Sequence, residues 1–194
     1  IAIDREVEGA DIDVFIGTNN VAAAEAAGEE LLNYLDSDDE VVILEGVPGA
    51  SSAIDRNEGF LNALEGNVNI VASQTANFDR TEALTVTENL LQAHPNIRAI
   101  VAANDEMALG AIEAVNGANK TPGEDILITG FDANDDAVTA VGAGTMLMTV
   151  EQQPDLMGGI GVETALKLFN GESVDSEIPA DVTVLDAEIL ESRN

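Results

Sequence analysis

The chain has 194 residues, 45% of them apolar and 23% charged, which is enough for one domain with a sizeable core or for one domain plus part of another. Its 37 acidic residues face only 7 basic ones, a formal net charge of -30, so the surface would repel nucleic acid and anionic membranes. No stretch approaches the roughly 18 apolar residues of a membrane helix, and with no cysteine there is no disulfide, thiolate metal site or thiol nucleophile.

The chain opens on Ile1-Ala2-Ile3, which reads as the tail of a strand with no initiator Met, signal peptide or lipid-accepting Cys before it. The natural chain is therefore expected to begin far upstream. A strand over 12–16 follows, then a helix over 20–35 with Val21, Ala24, Leu31 and Leu35 on one face. A strand over 41–44 leads into a helix that carries Arg56 and ends near Gly66, and the next strand covers 68–72. Asp79 with Glu82 three residues on is a capping-box pattern. It opens a helix over 80–93 whose inner face is read as Ala83, Val86, Leu90 and Ala93. A strand over 99–102, a helix over 105–116 with Ala108, Ala111, Ile112 and Val115 inward and Gly117 at its end, and strands over 126–128 and 146–150 complete the alternation. Segment 153–169 is helical, with Leu156, Ile160, Leu168 and Phe169 apolar and with Gly158, Gly159 and Gly161 permitting close backbone approach. The tail 170–194 reads as loop followed by a strand over 182–185. Strands alternating with helices predict an α/β fold, a doubly wound parallel sheet of Rossmann-like type.

In such sheets ligands bind beyond the carboxyl ends of the strands. The residues found there are Asp4 and Arg5, Thr18, Phe78, Asn104, Phe131 and Asp132, and Gln152, with Arg56 just inside the helix after 41–44. Planar Asp, Asn, Gln and Arg groups each engage two neighbouring hydroxyls, and an aromatic ring packs on an apolar C–H face. Together they suit a small sugar. Each residue also has an ordinary reading: Arg56 as a surface ion pair with Asp55 or Glu58, Asn104 and Asp132 as helix caps, Phe78 and Phe131 as core. Other constellations fail. Asp132-Ala-Asn134-Asp-Asp136 begins like a calcium loop but lacks its sixth-position Gly and twelfth-position Glu. The run from Gly46 to Ser52 lacks the Gly-Lys-Ser/Thr of a phosphate loop. His94, the single histidine, sits before Pro95 where a helix ends and suits a dipole partner better than a base. No Gly-x-Ser-x-Gly elbow or metal cluster points to an enzyme, and no cofactor is implied.

The runs Ile3-Asp4-Arg5, Gly46 through Arg56 to Phe60, Ala72 through Phe78 to Arg80, Ala103-Asn104-Asp-Glu-Met-Ala-Leu-Gly110, Gly130-Phe-Asp132 and Gln152-Gln-Pro-Asp155 resemble the periplasmic sugar-binding proteins of ABC transporters, ribose-binding type. The resemblance covers nearly the whole chain in the family's order. It implies a non-catalytic, extracytoplasmic binding protein, lipid-anchored in full length, that closes on one sugar ring and delivers it to membrane permease subunits. Carried over, Asp4, Arg5, Arg56, Asn104, Asp132 and Gln152 bond sugar hydroxyls, Phe78 and Phe131 pack on the ring, and Thr18 lies near the hinge. It also implies a division into 1–18, the last strand and hinge of an incomplete amino-terminal domain; 19–152, a complete sugar-binding domain; 153–181, a returning segment of the incomplete domain; and 182–194, a strand and tail. Half of the cleft is then missing, and helix 153–169 is expected to be mispacked, disordered or buried against another copy of the chain. An alternative with the same fold is the sugar-sensing effector domain of a repressor of the lactose-repressor type.

Two lysines, Lys120 and Lys167, among so many carboxylates fit a surface adapted to molar salt, as in a halophile. Lowering the salt from about 1 M to about 0.1 M lengthens the Debye length from about 3 Å to about 10 Å. Thermal melts across that range are expected to show the midpoint falling as salt is withdrawn; a flat or rising midpoint would contradict salt adaptation.

Overall fold

The computed structural model describes residues 1–193 apart from Glu6 and Glu8. The described chain divides into two compact units, 1–19 with 152–183 and 20–151 with 184–194, so it passes between them three times.

The larger unit is built on a six-stranded sheet. Its strands are β3 (Glu40–Glu45), β4 (Asn69–Thr75), β5 (Ile97–Ala102), β6 (Leu127–Asp132), β7 (Met148–Glu151) and β9 (Thr183–Asp186), in the order β4-β3-β5-β6-β7-β9. The pairs from β4 across to β7 are parallel. Central strands covered on both faces must be apolar on both faces. Val41 to Leu44 and Ala99 to Ala102 are accordingly all buried, whereas β4, at the edge, has only partly buried and exposed positions. The chain leaves β3 toward β4 and then returns past β3 to β5. The strand order therefore reverses between β3 and β5, which opens a crevice at their carboxyl ends.

Two helix pairs flank this sheet. Helix α1 (Asn20–Leu31) packs on α2 (Ser51–Leu64), and α3 (Arg80–Ala93) packs on α4 (Asp105–Gly117). The approach is close because glycines face the neighbour: a Cβ on Gly28 would lie 2.6 Å from that of Ala63, and one on Gly59 would run into the backbone carbonyl of Val21. Helix α1 is shorter than the 20–35 reading, because residues 32–34 tighten into a 3-10 turn before Leu35 becomes extended. On α3 the buried face is Ala83, Thr87, Leu90 and Leu91, with Val86 half-buried and Ala93 exposed, which corrects the expected stripe by part of a turn. The Asp79 carboxylate caps α3 by accepting the Glu82 N–H at 2.8 Å, but the Glu82 side chain accepts from Asn77 instead of completing the box. Gly66 takes the left-handed conformation expected after a helix (φ +80°), while past α4 that conformation belongs to Asn119 (φ +57°) and not to Gly117.

Three elements run against the sequence reading. Residues 135–142 form α5 (Asp135–Gly142), residues 177–180 form β8 (Glu177–Ala180) and residues 187–192 form α7 (Ala187–Ser192). The tail is thus not a loose end: β9 is the sheet's edge strand next to β7, and the Arg193 guanidinium makes a two-pronged ion pair with Glu151, both contacts at 2.8 Å.

The smaller unit is a three-stranded parallel sheet, β1 (Ala2–Ile3), β2 (Phe15–Thr18) and β8, in the order β1-β2-β8. Helix α6 (Pro154–Phe169) lies on it around Val14, Ile16, Met157 and Ala180. It is an ordered, docked helix, contrary to the expectation of mispacking or disorder. Of its glycines only Gly161 meets a neighbour, its Cβ position lying 2.5 Å from Ile3 Cδ1; Gly158 and Gly159 have nothing near them. Its outer side leaves Leu156, Val162, Leu166 and Phe169 exposed. No helix among the described residues is long and apolar enough to cross a membrane.

The close α1–α2 crossing makes a specific demand. Gly59→Ala is expected to lower stability by about 1–3 kcal/mol, the scale for forcing a methyl into a filled contact. Gly117→Ala meets nothing and should be neutral or stabilising by up to about 1 kcal/mol. Urea midpoints of the two variants test the contrast.

Candidate functional site

In the larger unit the polar cluster is organised by Arg56. Helix α2 starts beyond β3 and places this residue in its second turn, where only 6% of it is exposed. A guanidinium that deep must be paired and hydrogen-bonded. Its Nε donates to Asn20 Oδ1 at 2.9 Å, and its Nη1 donates to the Ala103 carbonyl at 2.7 Å and to Asp132 Oδ1 at 3.3 Å. Its planar face lies 3.7 Å from the centre of the Phe131 ring, with the Phe78 ring centre at 6.0 Å. Arg56 is therefore not the surface ion pair that its acidic sequence neighbours suggested.

The other members reach the same carboxyl end. Asn104 follows β5 and caps α4, its Oδ1 accepting the Met107 N–H at 3.0 Å while its Nδ2 lies 3.5 Å from the Phe78 carbonyl. Its cap reading is thus realised. Phe78 sits in the left-handed conformation (φ +59°), half-buried, with its ring over Gly46 so closely that a side chain there would collide with it. Phe131 is fully buried and serves as the platform under Arg56, which fulfils its reading as core. Asp132 ends β6 at φ +119°, followed by Ala133 at φ +55°, conformations that cost non-glycine residues on the order of 1–3 kcal/mol each. Its side chain is 38% exposed, and the cap of α5 is not Asp132 but Asn134, which accepts the Ala137 N–H at 2.9 Å.

The remaining predicted residues lie in the smaller unit. Thr18, at the end of β2, is buried and donates its hydroxyl to Gln152 Oε1 at 2.9 Å. Asp4, at φ +71°, and Arg5 are mostly exposed, their charged groups 3.9 Å apart.

Two residues of the larger unit's cluster escaped the sequence reading. Asn20, at the first position of α1, was hidden because only the fold brings it to Arg56. Asp105 stood inside the quoted Ala103–Gly110 run, where its neighbour Asn104 drew the attention. It is fully buried, accepting the Thr149 hydroxyl at 2.7 Å and the Asn134 N–H at 2.8 Å. Burial pushes its pKa up to about 7, against the pull of those donors and of the Phe131 N–H, with the negative charge of Asp132 adding to the rise.

The family described as "Periplasmic binding protein domain" matches residues 1–173. The ribose import binding protein RbsB of Haemophilus influenzae is 45% identical over 186 residues, covering 95% of this chain and 62% of the relative. RbsB of Bacillus subtilis is 42% identical over 180 residues, covering 93% and 58%. A crystal structure of an ABC transporter periplasmic solute-binding protein from Actinobacillus succinogenes, with bound D-allose, superposes with a TM-score of 0.87 at 35% identity, covering 92% of this chain and 63% of that one. The chain thus spans about 60% of the length of the curated relatives it matches.

The raised pKa of Asp105 has a defined sign. In the unfolded chain the group ionises near pH 4 and in the fold near pH 7, so the folded state holds the extra proton between those values and its stability falls as pH rises through that window. Asp105→Asn keeps one acceptor and cannot ionise. Urea midpoints at half-unit pH steps should show the variant gaining on the parent from about pH 4 to about pH 7, with a constant difference above; a difference independent of pH would contradict the assignment.

Proposed function

The chain belongs to the periplasmic binding protein domain family, and from that premise we propose that it is part of the solute-binding component of an ABC sugar importer, binding a monosaccharide, D-ribose or a related pentose, without catalysing a reaction. The observation that carries this reading is the Arg56 cluster: a buried, fully oriented guanidinium, a carboxylate and an amide at the carboxyl end of one sheet, beside a half-exposed aromatic ring. A sugar asks for this combination, since charge-assisted hydrogen bonds grip its hydroxyl pairs and an aromatic face covers its C–H side. The two relatives named for ribose and the structure holding D-allose support the substrate class.

Within this reading Arg56, Asn104 and Asp132 bond hydroxyls, Phe78 packs on the ring, and Phe131 acts from beneath Arg56. Asp4, Arg5, Thr18 and Gln152 of the smaller unit are further sugar-binding candidates, in a chain that spans about 60% of the length of its relatives. The full protein works outside the cytoplasm, lipid-anchored, and hands its sugar to membrane permease subunits. The net charge of -30 supports a halophilic setting and argues against a nucleic-acid partner. The exposed Val162, Leu166 and Phe169, on one side of α6, support association of that helix with a second copy.

Titrating D-ribose into the isotope-labelled chain in high salt tests the reading. Amide shifts are expected around Phe78, Asn104 and Asp132, with a dissociation constant near the millimolar range, about 4 kcal/mol of binding free energy, because a partial cleft cannot enclose the ring. Asp132→Ala should abolish them. Absence of shifts at saturating sugar would sink the sugar reading, and submicromolar binding would sink the partial-cleft account.

A further inference from the structure

The turn that aims Asp132 is not self-supporting. Asp132 and Ala133 are consecutive left-handed non-glycine residues, and such a pair persists only where its surroundings over-determine it. Those surroundings converge on one buried carboxylate. Asp105 Oδ2 accepts the Asn134 N–H at 2.8 Å, Oδ1 accepts the Thr149 hydroxyl at 2.7 Å, and the Phe131 N–H also donates to the group. Thr149 in turn accepts the Ala133 N–H at 3.3 Å. Asp105 and Thr149 therefore hold the backbone at 131, 133 and 134, on both sides of Asp132. Gly130 makes room for this: a side chain there would collide with Asp105 Oδ1.

We propose that Asp105 is a positioning residue for the sugar site, holding the 131–134 turn in the strained form that presents the Asp132 carboxylate to Arg56 and to ligand. The role rests on Asp132 being a sugar ligand, as proposed above. Asp105 itself, buried behind the turn, touches no sugar.

The charge environment makes the role titratable. From β6 Asp132 faces Asp105, and from α2 Arg56 holds Asp132. Glu106 of the same helix and Asp136 of α5 are both tied to Arg80 of α3, and Glu151 at the end of β7 is tied to Arg193. Asp132 is thus the charge coupled to Asp105, and the burial that raises Asp105 toward neutrality brings its proton exchange near pH 7. Ionised, it strengthens the three hydrogen bonds it accepts but repels Asp132; protonated, it relaxes both.

The test reads the site in the chain itself, with and without D-ribose. The side-chain carboxyl carbon of Asp132 and the Nε–H of Arg56 are followed by NMR from pH 5 to pH 9 in the parent, D105N, D105A and T149V, with far-UV spectra confirming the fold. The parent is expected to show an inflection near pH 7 in both signals. D105N should abolish it while keeping the signals near their low-pH positions, because its amide still accepts from Asn134 and donates to Thr149. D105A and T149V should displace both signals and weaken D-ribose about tenfold or more, the scale of one charge-assisted hydrogen bond. If D105A unfolds, T149V alone decides. Parent-like signals in T149V, or a retained inflection in D105N, would overturn the proposal. If Asp132→Ala leaves the ribose response intact, the sugar reading fails instead, and the Asp132 and Arg56 signals still judge Asp105.

Discussion

A guanidinium cannot be buried in this sheet's crevice without partners, and the surroundings of Arg56 are arranged around that requirement. Its three named hydrogen bonds and its stacking contact come from four residues in three places: the start of α1, the residue just past β5, and two successive residues at the end of β6. Removing any one leaves a charge in a low-dielectric pocket with a lost bond, which costs more than the bond itself contributed. The site's geometry is in that sense an outcome of satisfying one cation. The Asp132 carboxylate that pairs with it stays 38% exposed.

The same constraint explains why glycine appears where it does. Gly46 lets the Phe78 ring lie flat against the β3–α2 connection, and Gly130 lets the Asp105 carboxylate reach beneath β6. Gly59 brings α2 against α1 on the stretch of helix that also carries Arg56, holding it near Asn20. Gly59 and Gly130 trade helix and strand propensity for a close approach that sets one side chain of the cluster, and Gly46 allows the same from a connection.

What was legible in the sequence follows from how local each signal is. Continuous apolar runs such as 41–44 and 99–102 announce buried strands, and residues just past them announce the sheet's functional end, so Arg56, Phe78, Asn104 and Asp132 could be collected without coordinates. Helix α5 was missed because Asp132-Ala-Asn134-Asp-Asp136 was weighed as a cation loop, whereas its acids supply a first helical turn and Asn134 supplies the cap. Strand β8 carries Pro179 and only four residues, which is tolerable at a sheet edge but silent as a pattern. Thr87 occupies a core position of α3 that hydrophobicity alone assigned to Val86. Asn20 and Asp105 act through contacts 36 and 44 positions away in the chain, with Arg56 and Thr149, which no local pattern encodes.

The nine predicted site residues also separate by how firmly the fold holds them. Arg56, Phe131 and Asn104 are buried among one another's neighbours, and the half-buried Phe78 ring lies against Gly46, so folding itself has ordered them. The buried Thr18 donates its hydroxyl to Gln152. Asp4 and Arg5 are mostly exposed, and their mutual ion pair at 3.9 Å restrains neither, since exposed pairs of that kind contribute little. The larger unit's cluster is thus ordered by folding itself, whereas Asp4 and Arg5 keep the conformational freedom of two solvated side chains.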